Sequence, residues 1–90
     1  MAVQNQTKSW LQGVWEAVSP NAIQVNPGDV HRLDTTAQVV RVLSGSAWIT
    51  YNGQDMVLRK GRNIFLPQTA LPSLMSAIGQ TPVVFEIQRR

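Results

Sequence analysis

The stretch VLSGSAWITYNGQDMVLRKGRNIFLP, residues 42–67, decides the fold prediction, because glycine turns separate its short apolar runs. Asn52-Gly53 is the strongest short signal for a β-hairpin, since both residues tolerate positive φ. Gly45 and Gly61 stand at the two neighbouring corners, where glycine permits the same backbone conformation. The pattern predicts short antiparallel strands joined by tight turns, and it assigns the glycines a structural role rather than a chemical one.

The chain after Pro20 keeps this texture of short strands and turns. Strand-like runs cover residues 22–25, 30–35, 37–43, 47–51, 54–59, 63–67 and 81–88. Seven or eight short strands at such spacing are typical of an all-β sandwich or barrel. In the last run Val83, Phe85 and Ile87 alternate with Val84, Glu86 and Gln88, so the first set is predicted to face the core. We therefore predict one β domain over residues 22–88.

The N-terminal region has a different pattern. Residues 1–8 are polar and are predicted to form a disordered tail. Residues 9–19 place Trp10, Trp15 and three aliphatic residues on one stripe with helical spacing, which predicts an amphipathic helix that Pro20 ends. The tryptophans either cap the β domain or contact a partner: a second copy, another protein or a membrane surface. The membrane alternative is disfavoured, because few basic residues flank the stripe.

Composition excludes several kinds of chemistry. Ninety residues are enough for one domain. The absence of cysteine excludes disulfides, thiolate nucleophiles and zinc–thiolate sites. No secretory signal and no apolar run of about 20 residues is visible, which predicts no membrane span and a cytoplasmic location.

The basic character of the chain comes from few residues. The formal charge is +3 and the pI is about 10.2, but only 14% of residues are charged. Arg59, Lys60 and Arg62 cluster around one predicted turn, and Arg89 and Arg90 end the chain. A solvated turn with a basic tail is the favoured interpretation. A weak phosphate-binding patch for nucleic acid is the alternative.

The spacing of these turns resembles the cupin jelly roll over roughly residues 28–88. Cupins often show a glycine after an apolar strand, a glycine hairpin, a further glycine and a closing proline, here Gly45, Gly53, Gly61 and Pro67. More narrowly, the chain resembles small bacterial cupin-like proteins of unknown function with a Gly-x-x-Trp-x-Thr element. The matching residues are Gly45, Trp48, Thr50, Asp55, Leu58 and Gly61. The resemblance implies a small all-β cupin-like jelly roll, and the spacing in residues 9–19 adds an N-terminal amphipathic helix to this fold prediction.

The resemblance also implies where a cupin metal would be bound. The two histidines, the glutamate and the last histidine of the cupin motifs correspond here to His31, Leu33, Gln38 and Pro72. Leucine and proline side chains cannot coordinate a divalent metal, and a transition-metal site needs three or four protein ligands. We therefore expect no metal and no cofactor, and neither dioxygenase nor metal-dependent isomerase activity.

His31 is the only histidine and the main candidate for catalysis. It could act as a general base oriented by Asp34 or Asp29, with Tyr51 as the acid, similar to the metal-free sugar-epimerase cupins. The favoured interpretation is a half-buried strand histidine with a hydrogen-bond partner. Serine catalysis is disfavoured, because the Gly-x-Ser-x-Gly elbow is absent.

Two apolar features have both a core and a binding interpretation. For Trp48 a core position is favoured over stacking on a ligand at the barrel mouth. In residues 71–79, Leu74, Met75 and Ile78 are predicted to fill the core, with an apolar ligand pocket as the alternative.

The leading hypothesis is a non-enzymatic, metal-free cupin-like module for binding or protein interaction. We expect a homodimer or a protein partner, through the N-terminal helix with Trp10 and Trp15, and leave a small-molecule ligand open. Trp48 and the basic turn of Arg59, Lys60 and Arg62 are the further binding candidates. The alternatives are a metal-free isomerase or epimerase that uses His31, and a weak nucleic-acid binder.

Overall fold

The computed structural model describes residues 19–89. The predicted tail, Trp10, Trp15 and all of the predicted helix except Ser19 lie outside the described residues. Ser19 is buried, and its hydroxyl donates a hydrogen bond to Glu86. A turn follows, closed by a hydrogen bond from the Ala22 N–H to the Ser19 carbonyl. The first described residue is therefore held to the last strand by a side-chain hydrogen bond.

Eight strands make up the described fold, which confirms the prediction of a small all-β jelly roll. They are β1 (Ile23–Val25), β2 (Val30–Arg32), β3 (Gln38–Ser44), β4 (Ser46–Tyr51), β5 (Gln54–Arg59), β6 (Asn63–Leu66), β7 (Leu74–Ala77) and β8 (Val83–Arg89). β7 lies in the apolar segment for which the sequence pattern predicts core residues without a strand. Within residues 19–89, no helix is long and apolar enough to cross a membrane.

The strands form two antiparallel sheets of four strands each. The β8 sheet has the order β1-β8-β3-β6, and the β4 sheet has the order β2-β7-β4-β5. Apart from the β4–β5 hairpin, each connection carries the chain from one sheet to the other. The inward faces of the two sheets pack against each other, so the core lies between the sheets.

The predicted turns have the backbone conformations that their residues indicate. Asn52 and Gly53 have φ of 51° and 79° and join β4 to β5. Gly45, with φ of 75°, makes the corner where the chain passes from β3 to β4. A Cβ atom at Gly45 would collide with the Pro82 carbonyl oxygen. This corner therefore needs glycine for its φ and for the close approach of the backbone before β8.

The core contains the residues predicted for the last strand but not all of those predicted elsewhere. Val83, Phe85 and Met75 are fully buried, which confirms three assignments, and Ile87 packs against the same cluster. Leu74 and Ile78 are exposed, so their assignment to the core was wrong. Met75 takes the inward position in β7, and alternation along a strand turns Leu74 outward.

Trp48 is 49% exposed, so its favoured core position was also wrong. Its neighbours Ala47 and Ile49 are fully buried. Side chains alternate between the two faces along β4. Because Ala47 and Ile49 point into the core, Trp48 between them lies on the outer face.

Candidate functional site

A pocket of about 410 Å³ opens beside β2 and the end of β8. Its lining includes His31, Leu33, Asp34, Pro72, Ile87 and Arg89. Three of the four positions that correspond to cupin metal ligands thus lie at one site, as the motif spacing implies. We call this site the β2–β8 pocket.

The residues at these positions do not fit a metal ion. Leu33 is buried and Pro72 is half-buried, and neither side chain has a donor atom for a metal. Among residues 19–89, no group of three or more histidine, cysteine, aspartate or glutamate side chains is placed to hold a metal. The donor set is therefore too small for the three or four ligands of a transition-metal site.

Gln38, at the position of the motif's glutamate, has a structural role. It is 1% exposed, and its Nε2 donates hydrogen bonds of 2.7 Å and 3.1 Å to the carbonyls of Asp34 and Thr36. Its Oε1 is buried without a hydrogen-bond partner. A carboxylate cannot donate to carbonyls, so an amide is required to hold the segment between β2 and β3.

His31 is half-buried and faces the core side of β2, with its ring edge-on to Phe85 at a centroid distance of 5.3 Å. Among residues 19–89, no hydrogen bond joins its ring to Asp29 or Asp34. Asp34 instead pairs with Arg89, whose Nη1 lies 2.8 Å from Asp34 Oδ2. The half-buried position agrees with the favoured interpretation, but within the described part of the chain the ring has no hydrogen-bond partner, which that interpretation included. His31 also lacks the oriented carboxylate that a general base needs.

Tyr51, the predicted acid, is not part of the β2–β8 pocket. Its hydroxyl donates a hydrogen bond of 3.2 Å to the Pro67 carbonyl. His31 is opposite Met75, and Met75 is opposite Ile49, two residues before Tyr51. Strand geometry therefore separates the Cα atoms of His31 and Tyr51 by about 12 Å. The structure brings His31 and Asp34 to one pocket and leaves Tyr51 outside it.

The outer face of the β4 sheet carries an exposed apolar surface. Val30, Trp48, Val57 and Leu74 are 65%, 49%, 51% and 46% exposed. The strand register aligns three of them with Ser76 in one row across the sheet, in the order Val30, Ser76, Trp48, Val57. Trp48 and Leu74 also line a shallow groove of about 270 Å³.

The next row of this outer face has opposite charges at its two ends. The register gives the order Arg32, Leu74, Thr50, Asp55. Thr50 Oγ1 donates a hydrogen bond of 2.8 Å to Asp55 Oδ1, which orients the carboxylate.

The predictions included Trp48 but missed the apolar surface around it on the outer face of the β4 sheet. Two pairs of successive apolar residues, Trp48-Ile49 and Val57-Leu58, could have indicated this surface in the sequence. In a strand, such a pair places one apolar side chain on each face of the sheet.

Arg59, Lys60 and Arg62 lie exposed around the turn between β5 and β6, as predicted. A hydrogen bond from the Arg62 N–H to the Arg59 carbonyl closes this turn. None of the three makes an ion pair with another of the described residues. Their positions agree with a solvated turn, and phosphate binding stays a prediction.

Comparison with known proteins identifies the fold. No family model and no curated protein matches the sequence. A Cupin_2 domain of an XRE family transcriptional regulator from Enterobacter cloacae gives a TM-score of 0.64 at 20% identity, over 73% of either chain. A de novo designed double-stranded β-helix gives 0.63 at 20% identity, over 77% of this chain and 95% of the designed one.

A candidate sugar phosphate isomerase from Acidithiobacillus ferrooxidans gives a TM-score of 0.61 at 26% identity. The match covers 77% of this chain but only 47% of that protein. The narrower resemblance to bacterial proteins with the Gly-x-x-Trp-x-Thr element stays a prediction. The two sheets, their strand order and these structural neighbours show that the chain is a cupin-like jelly roll.

Proposed function

We propose that this chain is a non-enzymatic, metal-free cupin-like module that binds a protein partner through the outer face of the β4 sheet. The observation that carries the proposal is the exposed row of Val30, Trp48 and Val57, with Leu74 beside it. Contiguous apolar patches of this kind on soluble proteins mark interaction sites. A central aromatic residue with a polar and charged surround is also the usual composition of an interface.

The β2–β8 pocket supports the metal-free part of the proposal. Leu33 and Pro72 contribute no ligand atoms, and the Gln38 amide is used within the fold. Equilibrium dialysis against Zn²⁺ or Mn²⁺ tests this. The wild type should retain no stoichiometric metal, and a metal-binding cupin dialysed in parallel is the positive control. Retention of one metal per wild-type chain would overturn the metal-free assignment.

Site-specific photo-crosslinking in cells of the native host tests the interaction surface. Benzoylphenylalanine would replace Val57 on the outer face of the β4 sheet. The matched control is position 65, because Phe65 is 52% exposed on the other sheet. We expect covalent adducts from position 57 and none from position 65. No adduct from position 57, or equal adducts from both positions, would contradict the proposal.

A metal-free isomerase or epimerase is the second candidate. The observation in its favour is that His31 and Asp34 line the same pocket, and one structural neighbour is described as a candidate sugar phosphate isomerase. The test is isomerisation of a panel of aldose and ketose phosphates by the wild type and by His31→Gln. The leading proposal expects no turnover by either protein. Turnover that His31→Gln abolishes would establish the enzyme and refute the non-enzymatic role.

A further inference from the structure

We propose that the partner on the outer face of the β4 sheet is a second copy of this chain, packed face to face about a two-fold axis. This inference rests on the proposed function for the choice of surface. The axis lies between β7 and β4 and runs along the strands. It exchanges β7 with β4 and β2 with β5, so each row of the outer face meets the same row in reverse order.

The charged row is self-complementary under this axis. Its order is Arg32, Leu74, Thr50, Asp55. Reversal places Arg32 of one copy opposite Asp55 of the other, and the symmetry creates this pair twice. Thr50 already orients the Asp55 carboxylate. An isologous interface requires such complementarity of a surface with itself.

The apolar row is self-complementary as well. Reversal places Val30 of one copy opposite Val57 of the other, and Trp48 opposite Ser76. A large side chain thus meets a small one, as close packing of two sheet faces requires. The strands of the two sheets stay aligned, which is the common arrangement of packed sheets at a spacing of about 10 Å.

Packing disfavours the other simple two-fold arrangement. An axis in the plane of the sheet but perpendicular to the strands would lay each strand on its own copy. With this axis along the row of Val30, Asp55 of one copy would face Arg59 of the other, but Trp48 would face Trp48 and Ser76 would face Ser76. Two large side chains would then meet at one point and two small ones at another, which packs less closely than large against small.

The size of the face sets the expected strength of the dimer. Four strands about 4.8 Å apart and three rows about 6.8 Å apart give roughly 400 Å² of flat face per copy. The third row contains Ile78, Ser46 and Arg59. A total of roughly 800 Å² is below the roughly 1,200 Å² of a standard specific interface and fits a weak, transient one. We therefore expect a reversible dimer with a Kd on the order of micromolar.

A charge-swap experiment on the full chain tests the axis. Sedimentation velocity over a concentration series would compare the wild type, Arg32→Glu, Asp55→Lys and their equimolar mixture. Each single variant places like charges at both symmetric pairs, so we expect its Kd to rise about tenfold or more. The mixture forms a heterodimer in which both pairs are again opposite in charge, so its Kd should return to within about threefold of the wild type.

Lys60→Glu is the matched control, because it makes the same change of charge in the exposed β5–β6 turn. It should leave the Kd unchanged, and far-UV circular dichroism should show that all variants are folded. A mixture that stays as monomeric as the single variants would refute the axis. A dimer that persists in every variant would place the contact on another surface and refute the inference.

The outcomes for this inference and for the proposed function are distinguishable. If the wild type stays monomeric at about 200 micromolar, far above a micromolar Kd, and position 57 crosslinks to a different protein, the dimer is refuted and the proposed function is supported. A monomer without any crosslink would refute both. A dimer whose crosslinked product has twice the mass of one chain, together with rescue in the mixture, supports both.

Discussion

Replacement of Gly45 by alanine tests the account of the corner between β3 and β4. The φ of 75° costs an L-residue about 1–2 kcal/mol. The new Cβ would also collide with the Pro82 carbonyl oxygen and approach Val83 Cα to 3.1 Å. Because these atoms belong to the backbone, β8 must shift to relieve the collision, and such overpacking costs about 1–3 kcal/mol. The expected loss in free energy of unfolding is about 2–5 kcal/mol.

Gly61→Ala is the matched control for this measurement. Gly61 has φ of 82°, and a Cβ there meets no atom within 4 Å. The control therefore loses only the conformational part, about 1–2 kcal/mol. Urea unfolding followed by far-UV circular dichroism measures both variants. A domain of this size has a total stability of roughly 5–13 kcal/mol, so the difference should be resolved.

Two results would refute the reasoning. Equal losses in the two variants would mean that the backbone before β8 yields without cost at Gly45. A loss below about 1 kcal/mol at both positions would mean that these corners do not hold positive φ in solution.

Three further predictions concern residues with different roles. Gln38→Glu should cost about 3–5 kcal/mol, because a buried carboxylate would face two carbonyls, whereas Gln38→Met should cost about 1–2 kcal/mol. Chemical denaturation compares them, and equal losses would contradict the donor role of the amide. Phe85→Ala should cost about 3–5 kcal/mol, while Trp48→Ser should cost the monomer only about 1 kcal/mol, because the half-exposed indole contributes mainly through strand propensity and cross-strand contacts; a reversed order in thermal unfolding would place Trp48 in the core. A double-mutant cycle of Asp34→Asn and Arg89→Met should give a coupling below about 1 kcal/mol, because this ion pair is exposed, and a larger value would show that the pair is shielded from solvent.

The local features of this fold could be predicted from the order of the residues. Asn52-Gly53 and Gly45 have conformational preferences of their own, so they indicate turns before any tertiary contact is known. The alternation of Val83, Phe85 and Ile87 indicates the inward face of β8 in the same way. Leu33 and Pro72 stand at two of the positions of the cupin metal ligands. Their side chains have no donor atom for a metal, so side-chain chemistry alone predicts that the ligand set is incomplete.

Only the tertiary structure decided which face of each short apolar strand points into the core. It also decided which residues from distant parts of the chain lie together. Trp48 and Leu74 each have an apolar neighbour, so by sequence either residue of each pair could point into the core. Contacts between the two sheets decide which one does. Arg32 and Asp55 come together in one row only because β7 and β4 pair between the strands that carry them. This pairing joins residues far apart in the chain, and local preference cannot specify it. The surface proposed here for self-association is therefore a property of the strand order.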